Sequence, residues 1–295
     1  MRKFDMQKEF VKTPNDYYQP AAKQGTLQRI FYFSKTYNEA AGTIEKDALV
    51  YLPYGYERGD REYNVLYLMH GGGGNSDEIF GGLEAKTDLK NILDNMIANL
   101  NIEPLVIVAP SFYYKGTEDA YINRKSAGEL TQNFHHELVK DLIPAIENNF
   151  RVKHGRKYRA FGGYSMGAEA TWNVFAKCLN EFQYFIPMSG DCWAVRMQGG
   201  LACPKETVEY LEQSVRKFGS HGQDYRLFVC VGDDGVAYDP LNTMMQEMKK
   251  HTDYFVFGKS FSSANVIYCV AEGGTHSYEY CYHYLYNALP YIFEN

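Results

Sequence analysis

The chain has 295 residues, 45% of them hydrophobic, and a formal net charge of −6. That is ample material for a substantial core, and an acidic balance without a polybasic cluster argues against nucleic acid or an anionic membrane surface as a partner. The longest apolar runs, such as Leu105-Val106-Ile107-Val108-Ala109, have strand length and are too short to span a bilayer.

The opening residues, Met1-Arg2-Lys3-Phe4-Asp5-Met6, lack the apolar stretch of a secretion signal, although a processed secreted protein would read the same way. Residues 1–25 read as an N-terminal extension. From Thr26 to Tyr37 and from Asp47 to Leu52, β-branched and aromatic residues between turn signals predict two strands paired antiparallel. Asn64 to His70 is a continuous apolar strand that stops at Gly71-Gly72-Gly73-Gly74. Strands and helices then alternate: helix 87–99, strand 105–109, helix 130–149, a strand from Tyr158 to Phe161, helix 168–175 and strand 184–188. Helix 205–218, strand 226–231, helix 241–251, strand 266–270 and helix 278–292 follow. No linker, low-complexity stretch or internal repeat interrupts the series, so residues 26–295 are expected to form a single domain. Alternation with buried strands predicts an α/β fold, a mainly parallel central sheet with helices on both faces. Its functional loops should then lie at the C-terminal ends of the strands.

Between the strand ending at Phe161 and the next helix lies Gly163-Tyr164-Ser165-Met166-Gly167. Gly-x-Ser-x-Gly at a strand-to-helix turn is what a serine needs to become a nucleophile, because small flanks let the backbone hold it in a strained, exposed turn. A serine hydroxyl also needs a base, and the base needs an acid to fix its tautomer. Of eight histidines, His135, His136 and His283 lie within helices, His251 at a helix end, and His154 and His221 in polar turns. His276 differs: it follows the strand ending at Val270, through Glu272-Gly273-Gly274-Thr275, just before the last helix. Ser, then acid, then His is also the α/β-hydrolase order. For the oxyanion, the Met166 N–H and one from Gly72 or Gly73 are the candidate donors. A phosphate cradle is the weaker reading of the glycine run, since no Lys-Ser/Thr completes it.

Six cysteines show no zinc-like spacing, and no metal site is expected. Cys230 and Cys269 sit inside apolar strands as buried thiols, and Cys192 with Cys203 is the one candidate disulfide. Tyrosine is abundant, with 26 copies against 2 tryptophans, which suits packing and also stacking on sugars or phenols.

Val50-Tyr51-Leu52-Pro53-Tyr54-Gly55-Tyr56, Tyr67-Leu68-Met69-His70-Gly71-Gly72-Gly73-Gly74-Asn75, the serine motif, Gly274-Thr275-His276 and Leu285-Tyr286-Asn287-Ala288-Leu289-Pro290 together resemble carbohydrate esterase family 1, in its feruloyl esterase branch. The resemblance covers roughly residues 26–294. It implies a secreted or periplasmic, cofactor-independent esterase that removes hydroxycinnamoyl groups, or less often acetyl groups, from arabinoxylan or xylo-oligosaccharides. A siderophore-ester or thioester hydrolase, an acyltransferase, and a carbohydrate-binding relative without a proper acid are the alternatives. The family places its acid in Gly-x-x-Asp-x-Ala-Tyr, whereas this chain reads Gly232-Asp233-Asp234-Gly235-Val236-Ala237-Tyr238. With Gly235 at the acid position, Asp234 is expected to reach His276 through a turn rearranged by one residue. Asp191, in Ser189-Gly190-Asp191-Cys192-Trp193, is the alternative acid. Trp193, Tyr113 and Tyr114 are the candidate substrate contacts.

Overall fold

The central strands carry apolar side chains on both faces, so the sheet they form must be covered twice. In the computed structural model, which describes residues 8–37, 42–117, 124–219 and 224–293, nine strands form that sheet. They are β1 (Thr26–Lys35), β2 (Thr43–Leu52), β3 (Asn64–Met69), β4 (Leu105–Ala109), β5 (Arg159–Tyr164), β6 (Tyr184–Met188), β7 (Arg226–Asp234), β8 (Phe257–Gly258) and β9 (Val266–Thr275). Their order across the sheet is β1-β2-β4-β3-β5-β6-β7-β9-β8. The β1–β2 and β2–β4 pairs are antiparallel and the rest parallel.

Successive residues of β3 divide between two cores: Val65, Tyr67 and Met69 join one, Leu66 and Leu68 the other. The first core receives α2 (Arg124–Glu137), α4 (Met166–Lys177), α6 (Pro204–Lys217) and α7 (Tyr238–Met248) through Phe134, Trp172, Leu211 and Met244, for example. The second is closed by α1 (Leu89–Ala98) and α8 (Tyr278–Ala288), through Leu93 and Leu285 among others. The expected α/β fold is therefore present, with its helices on both faces.

Several boundaries differ from the sequence reading. The helix expected over 130–149 is α2, a π-helical turn (Leu138–Leu142) and α3 (Ile143–Asn149). Pro144, in the first turn of α3, lacks the N–H and has no room for the carbonyl four residues back, which opens the wider turn before it. A short helix, α5 (Gly199–Ala202), and β8 carry too little periodicity to announce themselves. The described part of the N-terminal extension packs onto the domain: the Lys8 N–H donates to Tyr268 O (3.1 Å), and the Gly25 N–H to Asp94 Oδ1 (2.8 Å). His221 and residues 1–7 lie outside the described residues. All six cysteines are free thiols, so Cys192 and Cys203 form no disulfide; Cys203 Sγ instead lies 3.6 Å from Thr207 Oγ1. No helix among the described residues is long and apolar enough to cross a membrane.

Candidate active site

Every loop that carries a candidate residue leaves the sheet at a strand's C-terminal end. Past the end of β5 the chain turns through Ser165, at φ 57° and ψ −117°, and enters α4 at Met166. A non-glycine residue at positive φ is strained by about 1–3 kcal/mol, and neighbouring contacts hold it there. The Ser165 N–H donates to Met188 O (2.9 Å) and the Ala168 N–H to Ser165 O (2.8 Å). A Cβ on Gly163 would come within 2.4 Å of Gly167 O, and one on Gly167 within 2.4 Å of Met69 O. Both flanking glycines are thus required by close backbone approach.

β9 continues past the expected end at Val270 to Thr275, so His276 is the first residue beyond the strand. Ser277 caps α8, its side chain accepting from the Tyr280 N–H, which pins the strand-to-helix turn on both sides of His276. His276 Nε2 lies 2.9 Å from Ser165 Oγ. For Nε2 to accept the serine proton, Nδ1 must carry the imidazole hydrogen. That Nδ1 is buried and has no hydrogen-bond partner among the described residues. Burial also holds the His276 pKa below its usual 6.5, which favours the neutral ring that can accept a proton.

The expected acid does not reach it. Asp234 stays in the β7 ladder, paired with Thr275 past a register shift between Gly232 and Asp234, and is exposed. The turn is therefore not rearranged as the Asp234 assignment required, because the strand ladder holds the backbone of residue 234. Asp233 accepts from the Gly273 N–H (2.7 Å). Asp191, the alternative, is buried and occupied elsewhere: its two oxygens accept from Trp193 Nε1 (2.8 Å) and the Gly200 N–H (2.8 Å). Burial raises its pKa. The residue beside His276 on this loop is Gly235, where a Cβ would stand 3.3 Å from His276 N and 3.5 Å from His276 Cβ.

The glycine run after β3 is held by Tyr278, which the sequence reading did not single out, and by Tyr113, expected from the sequence to be a substrate contact. The Gly71 N–H donates to Tyr278 Oη (2.9 Å) and the Gly73 N–H to Tyr113 Oη (3.2 Å), while the Gly74 N–H closes a turn onto Gly71 O (3.3 Å). Gly73 is thereby engaged, and Gly72, exposed at the turn, is the amide of the run with no partner among the described residues. Met166, the first residue of α4, supplies the other candidate donor at a helix N-terminus, where the peptide dipoles favour negative charge. His70 lies fully buried beneath the run, its Nδ1 donating to Gly71 O (2.6 Å) and its Nε2 accepting from Ser111 Oγ (2.8 Å). Nothing in the spacing of His70, Ser111 or Tyr278 marks them, since their roles arise from strands that meet only in the fold.

Of the candidate substrate contacts, Tyr113 is buried and turned to the glycine run and to Met166 Sδ (3.8 Å), so it supports the loop. Trp193 and Tyr114 are half-buried, and Trp193 is oriented by its bond to Asp191. Among the described residues no group of His, Cys, Asp and Glu side chains is arranged to hold a metal ion.

The family described as "Putative esterase" matches residues 44–292. Endo-1,4-beta-xylanase Y of Acetivibrio thermocellus is 33% identical over 99% of this chain, which covers 25% of that protein. An endo-1,4-beta-xylanase/feruloyl esterase of Xylanibacter ruminicola is 35% identical over 59% of this chain and 23% of its own length. The chain thus spans about a quarter of the length of these relatives. Among solved structures, a serine-to-alanine variant of the feruloyl esterase module from Clostridium thermocellum, complexed with sinapinate, superposes with a TM-score of 0.83. It is 30% identical, over 100% of this chain and 97% of that one.

Proposed function

Because the chain belongs to the esterase family and has its α/β-hydrolase fold, we propose that it is a serine esterase that releases hydroxycinnamate, ferulate or a close relative, from feruloylated arabinoxylan or its oligosaccharides. The observation that carries the reading is the 2.9 Å contact between His276 Nε2 and Ser165 Oγ at a strained strand-to-helix turn. Ser165 Oγ attacks the ester carbonyl while His276 Nε2 takes its proton. The tetrahedral oxyanion is held by the N–H groups of Met166 and Gly72. Collapse expels the sugar alcohol, which takes the proton back from His276, and water then attacks the acyl-enzyme by the same route in reverse. Ser165 and His276 act as a dyad in this scheme, since no carboxylate among the described residues meets Nδ1. Trp193, oriented by Asp191, and Tyr114 are the aromatic surfaces on which the phenolic ring would stack. An enzyme working on wall polysaccharide acts outside the cytoplasm, so a secreted or periplasmic location belongs to the same reading.

The unpartnered Nδ1 favours one second reading, a relative that binds the feruloylated chain but turns it over weakly. Turnover of methyl ferulate, acetylated xylan and a short-chain aryl ester by the wild type and by Ser165→Ala separates the two. Ferulate release is expected to exceed acetate release and to fall about 10³-fold or more in the variant. Turnover that survives the substitution unchanged would exclude Ser165 as nucleophile, and binding of feruloylated oligosaccharide without any turnover would favour the second reading.

A further inference from the structure

A buried ion pair lies behind the glycine run, outside the reacting groups. Lys46, on β2, has a side chain only 3% exposed, and its ammonium saturates itself with three acceptors. These are Ser111 O (2.6 Å), Tyr113 O (2.6 Å) and Glu137 Oε2 (3.3 Å). Glu137, the last residue of α2 before the π-helical turn, accepts on its other oxygen from Tyr32 Oη (2.6 Å). Burying a lysine is unfavourable unless the geometry repays its desolvation, and here both carbonyl bonds fall on one short segment, residues 111–113. That segment is also what grips the glycine run. Ser111 Oγ accepts from the Tyr113 N–H (3.1 Å) and donates to His70 Nε2 (2.8 Å); the opposite face of the imidazole edge donates from Nδ1 to Gly71 O. Tyr113 Oη receives the Gly73 N–H. The His70 ring lies against both of this segment's aromatics, tilted to Phe112 with centroids 4.7 Å apart and stacked on Tyr113 at 5.6 Å. Burial, and to a lesser degree the nearby Lys46 charge, opposes protonation of His70, which keeps Nε2 an acceptor for Ser111.

We propose that Lys46 is a positioning residue for the oxyanion donors: it holds the 111–113 segment, and through Ser111 on His70 and through Tyr113 on Gly73 sets where the Gly72 amide points. The proposal rests on the esterase reading of Ser165 and Gly72. An amide displaced by a fraction of an ångström still lets substrate bind but loses the developing oxyanion. Loss of the clamp should therefore appear in kcat and not in KM.

The test compares the wild type with Lys46→Met/Glu137→Gln, which removes both buried charges together and keeps an acceptor for Tyr32. With a short-chain aryl ester as substrate, kcat is expected to fall about 100-fold with KM within about threefold. Affinity for phenylboronic acid, an analogue of the tetrahedral adduct, should fall in step with kcat. Amide hydrogen exchange at residues 71–73 should quicken in the variant, a readout that does not need turnover. Wild-type kcat and unchanged exchange in a folded variant would overturn the proposal. If the double variant does not fold, Ser111→Ala/Tyr113→Phe carries the same test, because it cuts both links to the glycine run while leaving the ion pair in place; unchanged kcat and exchange there would overturn it equally. Ser165→Ala in the same assay separates the two layers: activity surviving that substitution refutes the esterase reading, whereas the exchange data judge the clamp alone.

Discussion

Glycine at position 235 leaves the imidazole of His276 without the group that would stabilise it once charged. In the proposed mechanism, when Ser165 gives up its proton Nδ1–H becomes part of an imidazolium facing no acceptor among the described residues, and loss of an orienting carboxylate reduces serine hydrolase turnover by roughly 10⁴-fold. Gly235→Asp should restore part of it. The backbone there is not at positive φ, and a Cβ would meet His276 N at 3.3 Å and Gly232 O at 3.4 Å, so a shift of a few tenths of an ångström admits the side chain. We expect kcat/KM to rise at least about tenfold in Gly235→Asp, whereas Asp234→Asn and Asp191→Asn should leave the pH dependence of His276 in place. The pH profile supplies the check. Catalysis needs neutral His276, and burial lowers its pKa, so in the wild type the acid limb of kcat/KM should lie below pH 6.5. A carboxylate at residue 235 favours the charged ring and raises that pKa, so the limb should move to higher pH. A limb that stays put, with no gain in rate, would mean that the new carboxylate does not reach Nδ1.

At the level of elements, the serine turn was legible because each of its requirements is local: two glycines for backbone clearance, a strand before and a helix after. The alternation of strands and helices was equally plain. The misplaced acid was not legible, because whether Asp234 points at His276 depends on the ladder between β7 and β9 and on its register shift at Gly232, a long-range fact. The split of the helix around Leu138–Leu142 could have been read from Pro144, whereas its use in presenting Glu137 to Lys46 could not. The N-terminal segment is another long-range case. Its polar composition shows no periodicity, yet α8 reads its backbone: Asn287 accepts from the Val11 N–H (3.0 Å) and donates to Val11 O (2.6 Å), and His283 Nδ1 accepts from the Thr13 N–H (3.2 Å). Asn287→Ala leaves both Val11 groups unpaired, at about 1–3 kcal/mol. Limited proteolysis should then cut within residues 8–25 of the variant before the core unfolds, with kcat unchanged. Simultaneous loss of arm and core would show instead that the segment is part of one cooperative unit.

For the whole molecule, the two cores on either side of the sheet leave its C-terminal edge crowded with buried polar groups, and this ties stability to pH at a particular place. His70 is fully buried, and desolvation, with Lys46 nearby, lowers its pKa from 6.5 to about 4. Between those values the unfolded chain binds a proton at residue 70 that the folded chain refuses, so the folded state loses stability as pH falls from 6.5 and the loss is complete near 4. A shift of that size is worth about 3 kcal/mol. Denaturant unfolding of the wild type and of His70→Gln at pH 7 and pH 4 isolates this share, because every other titrating group is common to both chains. The drop in unfolding free energy between the two pH values should be smaller in the variant by up to about 3 kcal/mol, and equal drops would show that residue 70 titrates alike in both states. The same proton has a functional consequence. Charged at Nε2, His70 would lose the Ser111 hydroxyl as donor and face Lys46 as a like charge, so acid should loosen the grip on Gly71–Gly73 before it unfolds the sheet. Protection of the glycine-run amides, measured against their intrinsic exchange rates, should accordingly fall from pH 6 to 5 while protection in β3 and β5 is retained, and a parallel fall in all three would mean that the run opens only by global unfolding.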